Sequence, residues 1–308
     1  MTLVPAALAS PARIELAELI GLKQSGESLR VGSLRVRALE SGGHLSRFKG
    51  RGVEFDEARP YQPGDDLRTI DWRVTARTGK THTKVFREER DRPVIIWLDL
   101  RKPMMFATRG AYKAVRAAQT AALIAWSTVA NGDRLGGLVF SEREQFELRP
   151  RLGYRAALRL FRVLTESSFW EPVDEGGQEL ERQRSLLRLT RVARPGSQIF
   201  LLSDFRALAE PFERHLRQLA RHSDVSLVQF FDPVEPDLPP PGSYRIQMGE
   251  GSVAIDTEQA RSREAYRERF QAVRAPLEDL CGLPGVQLIE CSTAVDPHTV
   301  LTRHFEAR

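Results

Sequence analysis

Two aspartates stand where chemistry is most plausible. Asp99 closes the apolar run Val94 to Leu98, and Asp204 follows Ile199 to Leu202 and Ser203. Buried parallel strands read as continuous apolar runs. Ligands of open α/β sheets sit outside the carboxyl ends of such strands, where the strand order reverses. Carboxylates there are candidates for metal ligation or acid–base work. The plainer reading is that each aspartate caps the element that follows it.

A second concentration of charge lies in residues 51–77. Carboxylates Glu54, Asp56, Glu57, Asp65, Asp66 and Asp71 alternate there with Arg51, Arg59, Arg68, Arg73 and Arg77. Paired carboxylates can serve as acid and base, yet no activated nucleophile accompanies them. The block reads as a salt-bridged loop, with Pro63-Gly64-Asp65-Asp66 as a turn and with Ile70 and Trp72 buried beside Tyr61. Its functional reading is a recognition surface. Gly79-Lys80-Thr81 imitates the end of a phosphate-binding loop, but Val74 stands where that motif needs its leading glycine. No Gly-x-Ser-x-Gly or His-Glu-x-x-His sequence occurs. His215 and His222 share a helix face without further ligands. Cys281 and Cys291, with His298 and His304 downstream, match no usual zinc spacing and read as thiols.

The elements that must position these residues alternate. Strands are expected at Val94 to Leu98, Leu135 to Phe140, Ile199 to Leu202, Val225 to Phe231 and Val286 to Ile289. Helices are expected at Tyr112 to Val129, ended by Asn131-Gly132, then Tyr154 to Phe169, Glu179 to Ala193 and Pro211 to Arg221. Ser10-Pro11 opens an amphipathic segment carrying Ile14, Ala17 and Ile20. Tyr244 to Met248 and Ser252 to Ile255 flank a Gly-Glu-Gly hairpin, and Asp256 with Gln259 suggests a capping box for a last long helix. This order implies an α/β fold with a mostly parallel sheet covered on both faces. Residues 1–90 read as an N-terminal helix plus polar region packed on a main domain of residues 91–308.

Composition narrows the function classes. The chain has 308 residues, net charge +5, and 46 basic residues of which only six are lysine. Acidic and basic residues interleave throughout, which favours local ion pairs over a nucleic-acid stripe. No apolar run approaches the roughly 20 residues needed to span a bilayer, and Met1 to Ser10 lacks a signal-peptide pattern. A cytoplasmic protein with no membrane span is the expectation.

The stretch from Gly50 to Arg73, GRGVEFDEARPYQPGDDLRTIDWR, followed by Thr75-Ala76-Arg77-Thr78-Gly79, closely resembles the signature of the bacterial domain-of-unknown-function-58 family. The resemblance continues through Phe86, Glu88, Glu89 and Arg90 to Asp99, and in order to about residue 232. It implies a von Willebrand factor A-like fold and a partnership with MoxR-type AAA+ ATPases in maturing other proteins. It implies no reaction. Many von Willebrand A domains hold Mg²⁺ through an Asp-x-Ser-x-Ser sequence, a Thr on a later loop and a further Asp. Against that pattern this chain keeps Asp99 and Asp204 but carries Arg101 and Pro103 at the serine positions and Gln178 at the threonine position. Mg²⁺ needs near-octahedral oxygen ligation. Proline supplies no donor atom and arginine brings a positive charge. A degenerate site without metal or other cofactor is expected. Two placements of Arg101 stand open: on Asp99, Asp204 or both, in the cation's place, or out in solvent.

The resulting expectation is a non-catalytic adaptor, partner of a MoxR-type ATPase and of an unknown client. Its contact candidates are Asp99, Arg101, Asp204, Asp65, Asp66, Arg68, Asp71, Trp72 and Arg77. The alternatives are a metal-dependent hydrolase using the acidic block with Asp204, and a nucleic-acid binder motivated by the arginine content.

Overall fold

The computed structural model describes residues 10–31, 54–62, 67–87, 93–166, 168–171, 178–206, 210–238, 240–248 and 251–306. The polar-block residues Asp65 and Asp66, with the turn they belong to, lie outside these.

The chain divides into two compact units, residues 1–35 with 92–308, and residues 36–91. The N-terminal segment belongs to the main unit, whereas the sequence reading grouped it with the polar region. Its helices α1 (Leu16–Gly21) and α2 (Lys23–Ser28) pack on α4 (Lys113–Ala130). Gly26 makes that approach possible: a Cβ there would lie 2.5 Å from Cβ of Trp126. Trp126 Nε1 then donates to the Leu19 carbonyl and Ser127 Oγ to the Leu29 carbonyl.

The second unit pairs β1 (Glu54–Pro60) antiparallel with β2 (His82–Arg87), with helix α3 (Trp72–Thr78) between them in sequence. Asp71 caps α3 by accepting from the amides of Arg73 and Val74. Gly79 ends it at φ +69°, a left-handed conformation that glycine adopts without a Cβ penalty. That turn is what Gly79-Lys80-Thr81 builds. Trp72 is 70% exposed, so the expectation that it buries beside Tyr61 was wrong. It opens a short helix, and its neighbours Ile70, Val74 and Thr75 are half-buried while it is not.

The main sheet has six strands: β3 (Pro93–Asp99), β4 (Arg134–Phe140), β5 (Gln145–Arg151), β6 (Gln198–Ser203), β7 (Asp224–Phe231) and β10 (Val286–Ser292). Their spatial order is β10-β7-β6-β3-β4-β5, parallel except for the antiparallel edge strand β5. β5 was absent from the sequence reading because only Leu148 of its seven residues is buried. A separate hairpin joins β8 (Ser243–Met248) to β9 (Gly251–Asp256). Helices α5 (Tyr154–Glu166), α6 (Gln178–Val192), α7 (Glu210–Ala220), α8 (Ala260–Leu280) and α9 (Pro297–Glu306) complete the unit. Helix α8 starts at Ala260 with Gln259 as its N-cap, so the cap position falls three residues after the one expected at Asp256, which ends β9.

Strand alternation divides the core into two layers. Val94, Ile96 and Leu98 of β3 join Phe200, Leu202, Val228 and Phe230 under α4 and α5. Ile95 and Trp97 join Ile199, Leu201, Val225 and Leu227 under α6 and α7. Burying a large apolar side chain contributes about 1.5–3 kcal/mol, and both faces of the central strands are used in full. The order reverses at β3, which has β4 on one side and β6 on the other. The crevice of such a sheet therefore opens between the carboxyl ends of β3 and β6.

Candidate functional site

Three buried aspartates end three neighbouring strands: Asp99 on β3, Asp204 just past β6 and Asp232 just past β7. Burying three carboxylates costs several kcal/mol each unless every one is compensated. The chain compensates each by a different device.

Asp99 is held by Arg101, two residues on. Arg101 donates from its backbone amide (3.0 Å) and Nε (2.9 Å) to Oδ1, and from Nη2 (2.5 Å) to Oδ2. Ser203 Oγ donates to Oδ2 at 2.7 Å. Two donors on each oxygen use the roughly four acceptor positions of a carboxylate. The guanidinium also lies over the Phe140 ring, 5.6 Å from its centroid. Burial works against its charge, but Asp99, then Asp204 and Glu142, outweigh that and raise its pKa above the ordinary arginine value. Arg101 is 4% exposed, so of the two placements left open the inward one is found, on Asp99.

Asp204 is held by Lys113, whose Nζ lies 3.0 Å from Asp204 Oδ2 and 3.0 Å from Glu235 Oε1. Lys113 is fully buried at the first turn of α4. A cation there opposes the helix dipole, so its two carboxylates carry the compensation. Arg206 closes the cluster by pairing with both Asp204 and Glu235. Burial pushes the Asp204 pKa up, but Lys113 and then Arg206 outweigh it and hold the group below the usual carboxylate range. The turn that directs Asp204 passes through Phe205 at φ +53°, an uncommon conformation for a bulky residue. Full burial of Phe205 and its edge contact with Phe212 fix it.

Among the described residues, Asp232 is satisfied by neutral donors. It accepts from the Thr108 amide (2.6 Å) and hydroxyl (2.5 Å), the Thr293 hydroxyl (2.8 Å) and the Val234 amide (3.0 Å). Against the cost of burial these bonds lower its pKa. The loops after β3, β7 and β10 are tied together at this carboxylate.

Of the sequence candidates, the structure brings together Asp99, Arg101 and Asp204. Pro103 sits in the short 3-10 turn Lys102–Met104 beside them and supplies no donor atom. Gln178 is the first residue of α6, with its side chain outside the described residues. Arg68, Asp71, Trp72 and Arg77 belong to the other unit. The capping reading also has substance: Asp99 accepts the amide of residue 101, and Asp204 that of residue 206. As surface contacts, Asp99, Arg101 and Asp204 are corrected, since all three are buried.

The sequence reading missed Lys113, Arg206, Glu235 and Asp232. Asp232 carried a usable signal, because it ends an apolar strand just as Asp99 does. Lys113 carried a weaker one, as a lysine opening a helix of buried residues. Glu235 lay in a proline-rich connector and gave no signal.

A divalent ion does not fit this arrangement. The Asp99 oxygens are engaged by four donors, Asp204 faces two cations, and the two serine positions offer arginine and proline. Among the described residues no group of three or more His, Cys, Asp or Glu side chains is arranged to hold a metal.

Comparison with known proteins gives the family of this chain. The profile of the family described as protein of unknown function DUF58 matches residues 57–276. The chain belongs to the DUF58 family. A relative described as uncharacterized protein Rv1480, of Mycobacterium tuberculosis, is 30% identical over 258 residues, covering 80% of this chain and 78% of its own. Among solved structures, BatB from Bacteroides thetaiotaomicron is 14% identical with TM-score 0.42, covering 70% of this chain and 98% of that one. An aerotolerance-related membrane protein from Bacteroides fragilis is 13% identical with TM-score 0.40, covering 70% and 100%. A von Willebrand factor type A protein from Catenulispora acidiphila is 12% identical with TM-score 0.38, covering 74% and 43%. The DUF58 chain has an α/β fold built on a mostly parallel six-stranded sheet.

The cytoplasmic expectation is corrected. A neighbour of this fold is described as a membrane protein. Among the described residues no helix is long and apolar enough to cross a membrane, but that observation assigns no compartment.

Proposed function

We propose that this DUF58 chain is a non-catalytic protein-interaction module, an adaptor for a MoxR-type AAA+ ATPase in the maturation or assembly of other proteins. The carrying observation is the surface of the unit that bears the family signature. Trp72 is 70% and Leu67 66% exposed there, beside exposed Arg68, Arg73 and Arg77. Tryptophan and arginine are the residues most enriched in the energetic centres of protein interfaces.

The strand-end cluster supports the non-catalytic part of this reading. Its carboxylates are each held by donors of the chain itself, which leaves no poised base and no open coordination position. In this reading Arg101 and Lys113 stand where related folds would use a divalent ion, and no cofactor is required. The cluster's part is to fix the loops around the crevice.

Pull-down with the full chain from the native host, with ATP or a non-hydrolysable analogue, is expected to recover an AAA+ ATPase. Trp72→Ala and Arg68→Glu should each reduce that capture while leaving the melting temperature unchanged. Recovery of no ATPase under either nucleotide, or full capture by both variants, would refute the reading.

A further inference from the structure

The edge of the main sheet farthest from β10 carries a groove of about 760 Å³ between β5 and α5. It is remote in the topology from the Asp232 network, and nothing assigned so far uses it. Apolar side chains form its floor: Phe146 (40% exposed), Leu158 (41% exposed) and half-buried Val163, beside Leu148. Its wall is cationic. Arg155, Arg159 and Arg162 recur at helical spacing on α5, so they stack along one face of that helix.

Two glutamates also line the groove, but the chain already occupies them. Glu147 accepts from Arg188 Nε at 2.6 Å, and Glu166 lies 3.5 Å from Arg162 Nε. The side chains of Arg155 and Arg159 make no ion pair or hydrogen bond among the described residues. The groove is therefore apolar at its base and carries uncompensated positive charge along one rim.

We infer that this groove docks an acidic amphipathic helix of a partner protein. Apolar residues on one stripe of that helix would fill the space between Phe146, Leu158 and Val163, and its flanking carboxylates would meet Arg155 and Arg159. Charge complementarity selects an acidic partner. The form follows from the edge itself. Pro150 removes one backbone donor from β5, which makes addition of a further strand less favourable. A helix laid in a groove and anchored every three to four residues needs no such donors. This docking site is independent of the reading of the strand-end cluster and of Trp72.

Fluorescence anisotropy on the full chain tests it. The probe is a labelled Leu/Glu amphipathic peptide about five turns long. A Leu/Lys peptide of the same pattern and a single-stranded DNA of equal negative charge serve as comparisons. Saturable binding is expected for the Leu/Glu peptide, about tenfold or more tighter than for the Leu/Lys peptide. The Arg155→Glu/Arg159→Glu chain should lose that preference while melting normally, since both side chains are exposed. Leu158→Asp should weaken binding by removing the apolar anchor. The inference is overturned if the two peptides bind alike, or if the charge-reversed chain binds unchanged. It is equally overturned if DNA competes as well as the Leu/Glu peptide, which would make the rim a nucleic-acid surface. Loss of the site to self-association, seen as a concentration-dependent dimer that the same substitutions abolish, would replace the partner helix by a second copy of the chain.

Discussion

Lys113 Nζ sits 3.0 Å from Asp204 Oδ2 although ninety-one residues separate them, and both side chains are almost completely buried. The lysine opens α4 and the aspartate follows β6, so the contact fastens the first crossover helix to the far side of the strand-order switch. Glu235 completes it from the loop after β7. An organic cation inside the edge thus holds three loops.

Removing that cation exposes its cost. Lys113→Met leaves Asp204 and Glu235 facing each other with only half-exposed Arg206 between them. Breaking a buried pair by deleting one partner costs about 3–5 kcal/mol. Urea denaturation should show a loss of that size. A change under about 1 kcal/mol would mean that water or Arg206 already does the work of Lys113.

Arg101 offers the converse experiment. Arg101→Ser/Pro103→Ser restores the oxygen donors that related folds use and frees Asp99. This double variant should be destabilised in EDTA and regain several degrees of melting temperature, about 3–6 °C, in millimolar Mg²⁺. The natural chain should melt at the same temperature in EDTA and in Mg²⁺. A saturable Mg²⁺ shift in the natural chain would show that Arg101 does not replace the ion.

Acid stability follows from the depressed carboxyl groups. Asp204 and Asp232 both titrate below the ordinary value of 3.8 when folded. Each therefore favours the fold fully above pH 3.8, and the contribution disappears as pH falls through the lower folded-state value. Asp204→Asn should flatten the acid limb of a urea-midpoint profile below pH 3.8. An acid limb as steep as that of the natural chain would contradict the assignment.

The two thiols should differ in reactivity. Burial pushes the Cys291 thiol up to about 12, with Arg116 only partly opposing it, while Cys281 is half-buried. Ellman's reagent at pH 8 should modify Cys281 in the native protein and Cys291 only after denaturation. In the Cys281→Ser chain the native reaction should vanish. Rapid native labelling of that variant would place Cys291 at the surface.

Gly110 tests the closure of the loop after β3. Its φ is +76°, and a Cβ there would meet the Thr293 carbonyl oxygen at 2.1 Å. Gly110→Ala should cost about 2 kcal/mol or more, because the backbone conformation and the close approach both fail together. Thermal melting gives the readout, and an unchanged melting temperature would show that this loop moves freely away from Thr293.

Periodicity made most of the main unit legible. The central strands read as apolar runs because the parallel sheet is covered on both faces, and α4 showed its start and its Asn131-Gly132 stop. Local signals failed where tertiary context overrode them. β5 is an edge strand with one buried residue, so it carries no apolar run. Trp72 is hydrophobic by type but exposed, which no local pattern announces.

By itself the sequence determined the alternation of strands and helices, the aspartates ending β3 and β6, and the loss of oxygen donors at residues 101 and 103, since these depend on residue type and spacing along the chain. The Asp99–Arg101 pair was half within reach, because two residues on one turn are neighbours whatever the fold. Which partner Asp204 would take was decided only by the tertiary structure. Arg206 is a near neighbour in sequence, but Lys113 and Glu235 meet Asp204 because the sheet reverses its strand order at β3 and gathers distant segments over one crevice, and a buried carboxylate is stable only where cations or hydrogen-bond donors are brought to it.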